Sequence, residues 1–293
     1  MSSVVRSIRL ADAISPALAG GIAYRLFFRT RPRMPLRDRD AATDLAARRA
    51  ELRVRGRSVV AYQWGTEDRP VLVVHGWKGR ATQFAPLVRE LRARGRSVVS
   101  FDAPAHGASP GRRTDIRDWL AAIDELQRRH GPFAAIVGHS VGAVAALTAG
   151  RTFAPTPLVV TIAGAASPIA MVDQFAGMIG LSPGARAELE RRFAARIGES
   201  PASVRELFDA ADDPLPDGTS LLVVHGRDDR GLPDEDSLRL HRAHAGRSRM
   251  LRPVGLGHNS ILSDDEVLDA VVEAVTGGLP ADAVERPADL AIG

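Results

Sequence analysis

The chain has 293 residues, of which 45% are hydrophobic and 25% charged, as in a soluble protein with one large α/β domain or two modest domains. It contains no cysteine, which excludes disulfide bonds, thiolate catalysis and cysteine metal sites. The net charge of +4 comes from arginines that alternate with acidic residues, and Lys78 is the single lysine, so no nucleic-acid partner is expected.

The first predicted element is a helix in an apolar, small-residue-rich stretch at 8–28. Its part without charged residues, 13–24, is shorter than the ~20 residues that a membrane-spanning helix needs. We expect this helix to dock on the body of the protein and a proline-rich linker to follow, so that 1–49 forms an N-terminal segment. The alternative is a basic amphipathic helix that makes a weak contact with a membrane surface. With no convincing secretory cleavage pattern, the expected location is the cytoplasm.

From residue 50 onward, short apolar runs alternate with helical segments. The opening stretch, ELRVRGRSVVAYQWG, is typical of two antiparallel strands that turn at Gly56. Continuous Val/Ile/Leu runs, typical of strands buried on both faces of a parallel sheet, follow within 69–77, 95–109, 133–142, 157–164 and 219–229. Helices are predicted at 81–94, 116–129, 141–151 and 235–245. This alternation predicts a doubly wound, mostly parallel α/β sheet.

The strand pattern lapses over residues 165–219. Two segments there, LSPGARAELERRFAARIG and ESPASVRELFDAAD, open with Ser-Pro, which is typical of a helix N-cap followed by proline in the first turn. A further helix is expected around 171–179. We therefore expect a helical cap at 165–219, which separates two parts of the core, 50–164 and 220–278, and we expect a C-terminal tail at 279–293. The apolar residues Met171, Phe175, Met178 and Leu181 either line a pocket or form the interior of this cap.

The stretch VGHSVGA places Ser140 between a predicted strand and a predicted helix, with Gly138 and Gly142 on either side. This is the G-x-S-x-G pattern in the strand–turn–helix context in which a serine nucleophile is exposed. The carboxyl ends of the strands, where ligands bind in such sheets, lie at the same place. An ordinary serine N-cap is the alternative interpretation.

A serine hydroxyl needs a base to remove its proton. Among the eight histidines, His258 follows the glycine-containing stretch PVGLG and precedes a final helix predicted at 264–275. It therefore lies on a loop at the end of the last strand, and we predict that it is the general base. His75 and His225 are expected to brace loops, and His139 is expected to point elsewhere on the turn.

The base in turn needs a carboxylate that orients its ring. Asp228 and Asp229 both follow the predicted strand that ends in LLVVHG. Spacing alone leaves the choice between them open, and the other aspartate is expected to cap the turn.

These motifs resemble those of the α/β-hydrolase fold superfamily, particularly small bacterial hydrolases, over residues 51–278. The order serine, aspartate, histidine matches the chain order of that superfamily. HGW at 75–77 is similar to its oxyanion loop, and DAPAHGAS at 102–109 is similar to its D-x-P-G-x-G-x-S loop, with Ala105 replacing one glycine and His106 at a variable place. HGRDDRGLP resembles its H-G-x-x-D-x-x-V-P loop, and this resemblance assigns the acid to Asp229.

The resemblance also implies two oxyanion donors, the backbone N–H groups of Trp77 and Val141. The side chain of Trp77 has an alternative role as a packing residue beneath its loop. Lys78 is either a contact for an anionic substrate or a solvated lysine.

The expected function is that of a serine hydrolase, most simply a carboxylesterase acting on a small or medium ester, without a metal or cofactor. The same triad serves thioesterases, lactonases, C–C hydrolases, perhydrolases and acyltransferases. Serine at the turn argues against haloalkane dehalogenases and epoxide hydrolases, which use aspartate there. An alternative of another class is a non-catalytic ligand-binding protein on the same fold.

Overall fold

A computed structural model describes residues 3–279, so 280–293 of the predicted C-terminal tail lie outside the described residues. The chain forms two compact units. The first, here called the helical unit, comprises residues 3–29 and Ser167–Asp209. The second, called the sheet unit, comprises Thr30–Ala166 and the described residues from Ala210 onward.

The sheet unit contains an eight-stranded sheet in the order β1-β2-β4-β3-β5-β6-β7-β8. The strands are β1 (Arg48–Val54), β2 (Arg57–Trp64), β3 (Val71–Val74), β4 (Val98–Asp102), β5 (Ala135–His139), β6 (Leu158–Ile162), β7 (Ser220–Val224) and β8 (Ser248–Leu251). β2 pairs antiparallel with β1 and β4, and all other neighbouring strands are parallel. The predicted mostly parallel α/β sheet is therefore confirmed, including the antiparallel opening that turns at Gly56.

Helices cover both faces of this sheet. They are α3 (Ala41–Leu45), α4 (Ala85–Ala93), α5 (Ile116–His130), α6 (Val141–Thr152), α10 (Glu235–Ala243) and α11 (Asp265–Gly277). Because strand side chains alternate between faces, Val71 and Val73 join a buried cluster with Leu87 of α4 and Val271 of α11. Leu72 is buried on the opposite face, where α5 and α6 pack.

One predicted boundary differs from the structure. The helix predicted at 81–94 begins with a 3₁₀ turn, Ala81–Phe84, and the α-helix α4 starts only at Ala85. Pro86 accounts for this start, because proline is favoured in the first turn, where its missing N–H costs no helical hydrogen bond.

In the helical unit, the single N-terminal helix predicted within 8–28 is wrong. The structure has two helices there, α1 (Ser3–Ile14) and α2 (Pro16–Phe27). The break has a local cause: the Ser15 side chain accepts a hydrogen bond from the N–H of Leu18, and Pro16 occupies the first turn of α2.

The remaining helices of this unit are α7 (Pro168–Ile179), α8 (Pro183–Ile197) and α9 (Pro201–Phe208). As predicted from the Ser-Pro pairs, the side chains of Ser182 and Ser200 cap α8 and α9, with Oγ–N distances of 3.3 and 3.1 Å. A helical insertion between β6 and β7 is thus confirmed.

Aromatic rings join the N-terminal helices to the insertion. Phe27 contacts Phe175 with ring centroids 5.3 Å apart, and Phe28 stacks on Phe193 at 5.7 Å. The Asp12 carboxylate accepts hydrogen bonds from the backbone N–H and the hydroxyl of Ser182. The helical unit therefore contains residues of both the predicted N-terminal segment and the predicted cap. Phe175 packs within this unit.

Three apolar side chains of the helical unit, Leu10, Ile14 and Leu18, are exposed along α1 and α2. None of the helices within residues 3–279 combines the length and the apolar character required to cross a lipid bilayer. The weak contact with a membrane surface stays a prediction.

Candidate active site

The strand order reverses direction between β3 and β5, since the chain leads from β3 to β4 on one side and then from β5 to β8 on the other. The loops after β3 and β5 therefore diverge at the carboxyl edge of the sheet. Such a switch point is where open α/β sheets bind ligands. The HGW loop follows β3 and Ser140 follows β5, so both motifs lie at this point.

Ser140 lies on a sharp turn between β5 and α6 with φ 56° and ψ −123°. A non-glycine residue with positive φ is strained, by about 1–3 kcal/mol. The backbone N–H of Ser140 donates to the carbonyl of Ile162 in β6, which anchors the turn. Its side chain makes no capping hydrogen bond, unlike those of Ser182 and Ser200. Ser140 therefore occupies the N-cap position of α6, but its hydroxyl is not used to cap the helix.

The glycines that flank Ser140 are required by close backbone contacts. A Cβ atom at Gly138 would lie 2.3 Å from the carbonyl oxygen of Gly142. A Cβ atom at Gly142 would lie 2.2 Å from the carbonyl oxygen of Val74 at the end of β3. The G-x-S-x-G spacing thus permits α6 to start immediately beside two strands.

Asp229 and His258 are hydrogen-bonded to each other, with 2.8 Å between Oδ2 and Nδ1. The Asp229 side chain is 1% exposed and the His258 side chain 25%. Burial alone would raise the pKa of Asp229, but hydrogen bonds from His258 and from the N–H groups of Gly231 and Leu232 outweigh it and hold this pKa below its ordinary value. The carboxylate therefore stays charged and fixes the proton of His258 on Nδ1.

Asp228 has a different partner. Its carboxylate accepts a hydrogen bond from the N–H of Gly255 at 2.7 Å, which ties the loop after β7 to the loop after β8. His225 also braces this region, because its Nε2 lies 2.8 Å from the carbonyl of Leu232 and its Nδ1 2.7 Å from the hydroxyl of Ser237. The structure thus pairs Asp229, and not Asp228, with His258.

The HGW loop lies against the serine. A Cβ atom at Gly76 would be 2.9 Å from the Cβ of Ser140. The Trp77 ring stacks on Trp119 with centroids 5.6 Å apart and meets the edge of His106 at 5.1 Å, so its predicted packing role is confirmed. These contacts fix the loop whose backbone carries one predicted oxyanion donor. Val141 supplies the first N–H of α6, a position without an intrahelical acceptor. Donation by Trp77 and Val141 to an oxyanion stays a prediction.

The DAPAHGAS loop is held by the buried carboxylate of Asp102. It accepts hydrogen bonds from the N–H groups of Ala81 and Ala108 and from the hydroxyl of Tyr62. Ala105 has φ 67°, so alanine takes here the left-handed conformation that glycine would adopt without strain.

His139 and Gln83 are residues of the site that sequence reasoning missed. His139 does not point away from the site: its Nε2 lies 2.8 Å from the carbonyl oxygen of His258, and its Nδ1 lies 3.0 Å from Nε2 of Gln83. No local pattern could have shown this, because His139 and His258 are 119 residues apart.

Four buried histidines are uncharged at neutral pH, mainly because burial disfavours the charged ring. The pKa is lowered to about 4 for His75 and His244, and to about 3 for His106 and His139. For His75 the hydrogen bonds identify the protonated nitrogen: Nε2 accepts from the N–H of Ala103, so Nδ1 donates to the carbonyl of Gly76. His75 therefore braces two loops, as predicted.

These pKa values predict that acid destabilises the fold. In the unfolded chain each histidine titrates near its ordinary pKa of about 6.5. Below that pH the unfolded state binds more protons than the folded state, so the free energy of unfolding falls as the pH decreases, by up to about 1.4 kcal/mol per pH unit for each buried histidine. Denaturant unfolding between about pH 6.5 and 5 measures this slope.

The control for this pH dependence is His244→Gln, which lies outside the loops around Ser140. This substitution removes one titrating group, so the free energy of unfolding should change less steeply with pH, by the contribution of that one histidine. A free energy of unfolding that stays constant over this pH range would contradict the assignment of buried, neutral histidines.

The chain is similar to a known protein family in sequence and to solved structures in fold. A model of the Alpha/beta hydrolase family matches residues 71–271. No curated protein sequence matches the chain. Among solved structures, Alpha/beta hydrolase domain-containing protein 10 from mouse is 17% identical with a TM-score of 0.61, covering 78% of this chain and 97% of its own.

Two further solved structures are similar. The Pyrococcus furiosus esterase Pf2001 is 14% identical with a TM-score of 0.60, covering 85% of this chain and 96% of its own. A monoacylglycerol lipase from Paleococcus ferrophilus is 23% identical with a TM-score of 0.57, covering 75% of this chain and 99% of its own. At these identities the similarity shows a shared fold.

Proposed function

Since the chain belongs to the Alpha/beta hydrolase family, we propose that it is a serine hydrolase that cleaves small to medium carboxylic esters through an acyl-enzyme on Ser140. The proposal is carried by the hydrogen bond between Asp229 and His258, whose backbone carbonyl contacts His139 directly before a strained turn where the Ser140 hydroxyl makes no capping hydrogen bond. Ser140 has this backbone, and His139 directly before it contacts the backbone of His258, whose ring is oriented by a buried carboxylate. These residues have the parts needed for nucleophilic catalysis.

In the first step, the Ser140 hydroxyl attacks the carbonyl carbon of the ester. The Nδ1–H of His258 donates a hydrogen bond to the Asp229 carboxylate, which stays charged, so the lone pair of Nε2 is free to accept the serine proton and the resulting imidazolium is stabilised. The negative charge that develops on the carbonyl oxygen is stabilised by the N–H groups of Trp77 and Val141, each worth roughly 10²–10³ in rate. The amino end of α6 adds its positive dipole at the same place.

The tetrahedral intermediate then collapses. The bond to the alcohol breaks, and protonated His258 gives its proton to the leaving oxygen, which leaves an acyl group on Ser140. Water attacks this acyl-enzyme while His258 again accepts a proton. A second tetrahedral intermediate releases the carboxylic acid and restores the serine.

The choice of an ester as substrate is supported by two of the similar structures, whose names describe an esterase and a monoacylglycerol lipase. A lone nucleophile without an oriented base would support a binding protein instead, whereas here Ser140, Asp229 and His258 are all present at one edge of the sheet.

A fluorophosphonate probe tests the proposal. It reacts covalently with an activated serine, so we expect one equivalent of label on the folded protein, located on Ser140 by mass spectrometry of the peptides. Absence of label from protein that is folded by circular dichroism would contradict a serine hydrolase and favour the binding protein.

A panel of esters, thioesters and lactones with acyl chains of increasing length then tests the substrate class. We expect the highest kcat/KM among carboxylic esters. A thioester or lactone cleaved faster than every ester of matched chain length would keep Ser140 as the nucleophile but overturn the carboxylesterase assignment.

A further inference from the structure

The side chain of His139 links the nucleophile strand to the loop that carries His258, here called the base loop (252–259). His139 Nε2 lies 2.8 Å from the carbonyl oxygen of His258, and the two rings are 4.9 Å apart. On the other side of the His139 ring, Nδ1 lies 3.0 Å from Nε2 of Gln83. Both His139 and Gln83 are 2% exposed.

The partners of His139 identify its protonated nitrogen. A carbonyl oxygen only accepts hydrogen bonds, so Nε2 of His139 carries the proton and donates it to His258. In a neutral ring Nδ1 is then an acceptor, which matches donation by the amide nitrogen of Gln83. The remaining Gln83 oxygen accepts from the N–H of Arg80 at 3.4 Å. Every polar atom of this chain of hydrogen bonds therefore has a compatible role.

The base loop is also anchored away from His258. Arg252 pairs with Asp234, the Pro253 carbonyl accepts from the N–H of Arg227, Asp228 accepts from the N–H of Gly255, and Gly257 is bonded to the Ser260 hydroxyl and to the N–H of Ile261. At His258 itself, Asp229 holds the ring at Nδ1 and His139 holds the backbone at the carbonyl oxygen. One of these contacts is to the side chain and the other is to the backbone. Together they fix the position of the residue and the orientation of its ring.

We propose that His139 is a positioning residue, which holds the backbone of His258 through its Nε2–H so that the base reaches Ser140 and Asp229 together. This rests on the proposed function, in which His258 is the general base. Gln83 acts one step further away, by keeping the proton of His139 on Nε2. A displacement of about 1 Å in a catalytic group can cost about 10²-fold in rate, so the loss of this contact affects turnover more than substrate binding.

The test compares His139→Leu with His139→Gln. Leucine approximates the volume of the ring without a donor, whereas the amide of glutamine can place an N–H near the position of Nε2. We expect His139→Leu to lower kcat roughly 10- to 100-fold, with KM changed less than about twofold, and His139→Gln to recover most of the loss. The readouts are kcat and KM with an activated ester, and the melting temperature of each variant.

Gln83→Leu is a second variant that leaves the sequence around Ser140 unchanged. It removes the donor to Nδ1 and should lower kcat in the same direction, by a smaller factor. If His139→Leu does not fold, Gln83→Leu alone decides. A kcat equal to that of the wild type in the folded variants overturns the positioning role.

Equal losses of kcat in the leucine and glutamine variants, with equal losses of thermal stability, would also overturn it, because they would indicate a packing role only. Labelling of the wild-type protein by a fluorophosphonate separates this failure from failure of the proposed function. A labelled wild type with unaffected His139 and Gln83 variants rejects the positioning role alone. An unlabelled wild type rejects the serine hydrolase itself.

Discussion

Replacing Ser140 with alanine is expected to lower kcat for ester hydrolysis by on the order of 10⁶-fold, the loss typical of removing the nucleophile from such a triad. The reason is chemical, since no other group of the turn can form the acyl-enzyme. The same change should leave the free energy of unfolding nearly unaffected, because the Ser140 side chain makes no capping hydrogen bond. Steady-state turnover of an activated ester and denaturant unfolding measure the two effects.

Ser200→Ala is the matched control, because Ser200 caps α9 through its hydroxyl. It should cost about 1 kcal/mol in stability and leave turnover intact. Ser140→Ala should therefore lower turnover without a loss of stability, whereas Ser200→Ala should lower stability without a loss of turnover. A Ser140→Ala protein that keeps near-normal turnover, after purification from a host without a competing esterase, would reject Ser140 as the nucleophile.

The second large effect is expected at Asp229. Asp229→Asn places an amide beside Nδ1 of His258. The amide favours the tautomer whose proton is on Nε2, and a protonated Nε2 cannot accept the proton of Ser140. Loss of the orienting carboxylate typically lowers turnover by about 10⁴-fold through this wrong tautomer. Measurement of kcat with an activated ester at neutral pH gives the loss directly.

Asp228→Asn is the comparison for this variant. An asparagine there keeps an oxygen that can accept the hydrogen bond from the N–H of Gly255, so its turnover should remain close to that of the wild type. Equal losses at the two positions would leave the choice of Asp229 unsupported, and a larger loss at Asp228 would reverse it.

The parts of the site that could be predicted from sequence are those encoded locally. Gly138, Ser140 and Gly142 specify a strand, a tight turn and a helix within a few residues, and the backbone contacts of the glycines explain why that spacing is needed. The order of the strands along the chain then brings the loops of Ser140, Asp229 and His258 to one edge, because parallel strands end on the same side.

Long-range contacts could not be predicted in this way. The bond from His139 to His258 depends on how two loops far apart in sequence meet, and a histidine before the serine gives no sign of its partner. The same holds for the helical unit. An apolar helix face indicates that one side of α2 is buried, but not that Phe28, directly after the helix, stacks on Phe193. Spacing alone also left Asp228 and Asp229 equivalent; the family resemblance favoured Asp229, and the hydrogen bonds show that Asp229 is the partner of His258.

Lys78, the single lysine of the sequence, follows Trp77 directly in the loop beside Ser140. Amine-reactive reagents, which are the usual means of attaching dyes or of coupling proteins to beads, therefore find only one side chain to modify, apart from the terminal amino group. Attachment through lysine would therefore tether the molecule by the loop after β3, two residues beyond Gly76, which lies against Ser140. The same chemistry, used with a small fluorophore, would place a single side-chain label on this loop.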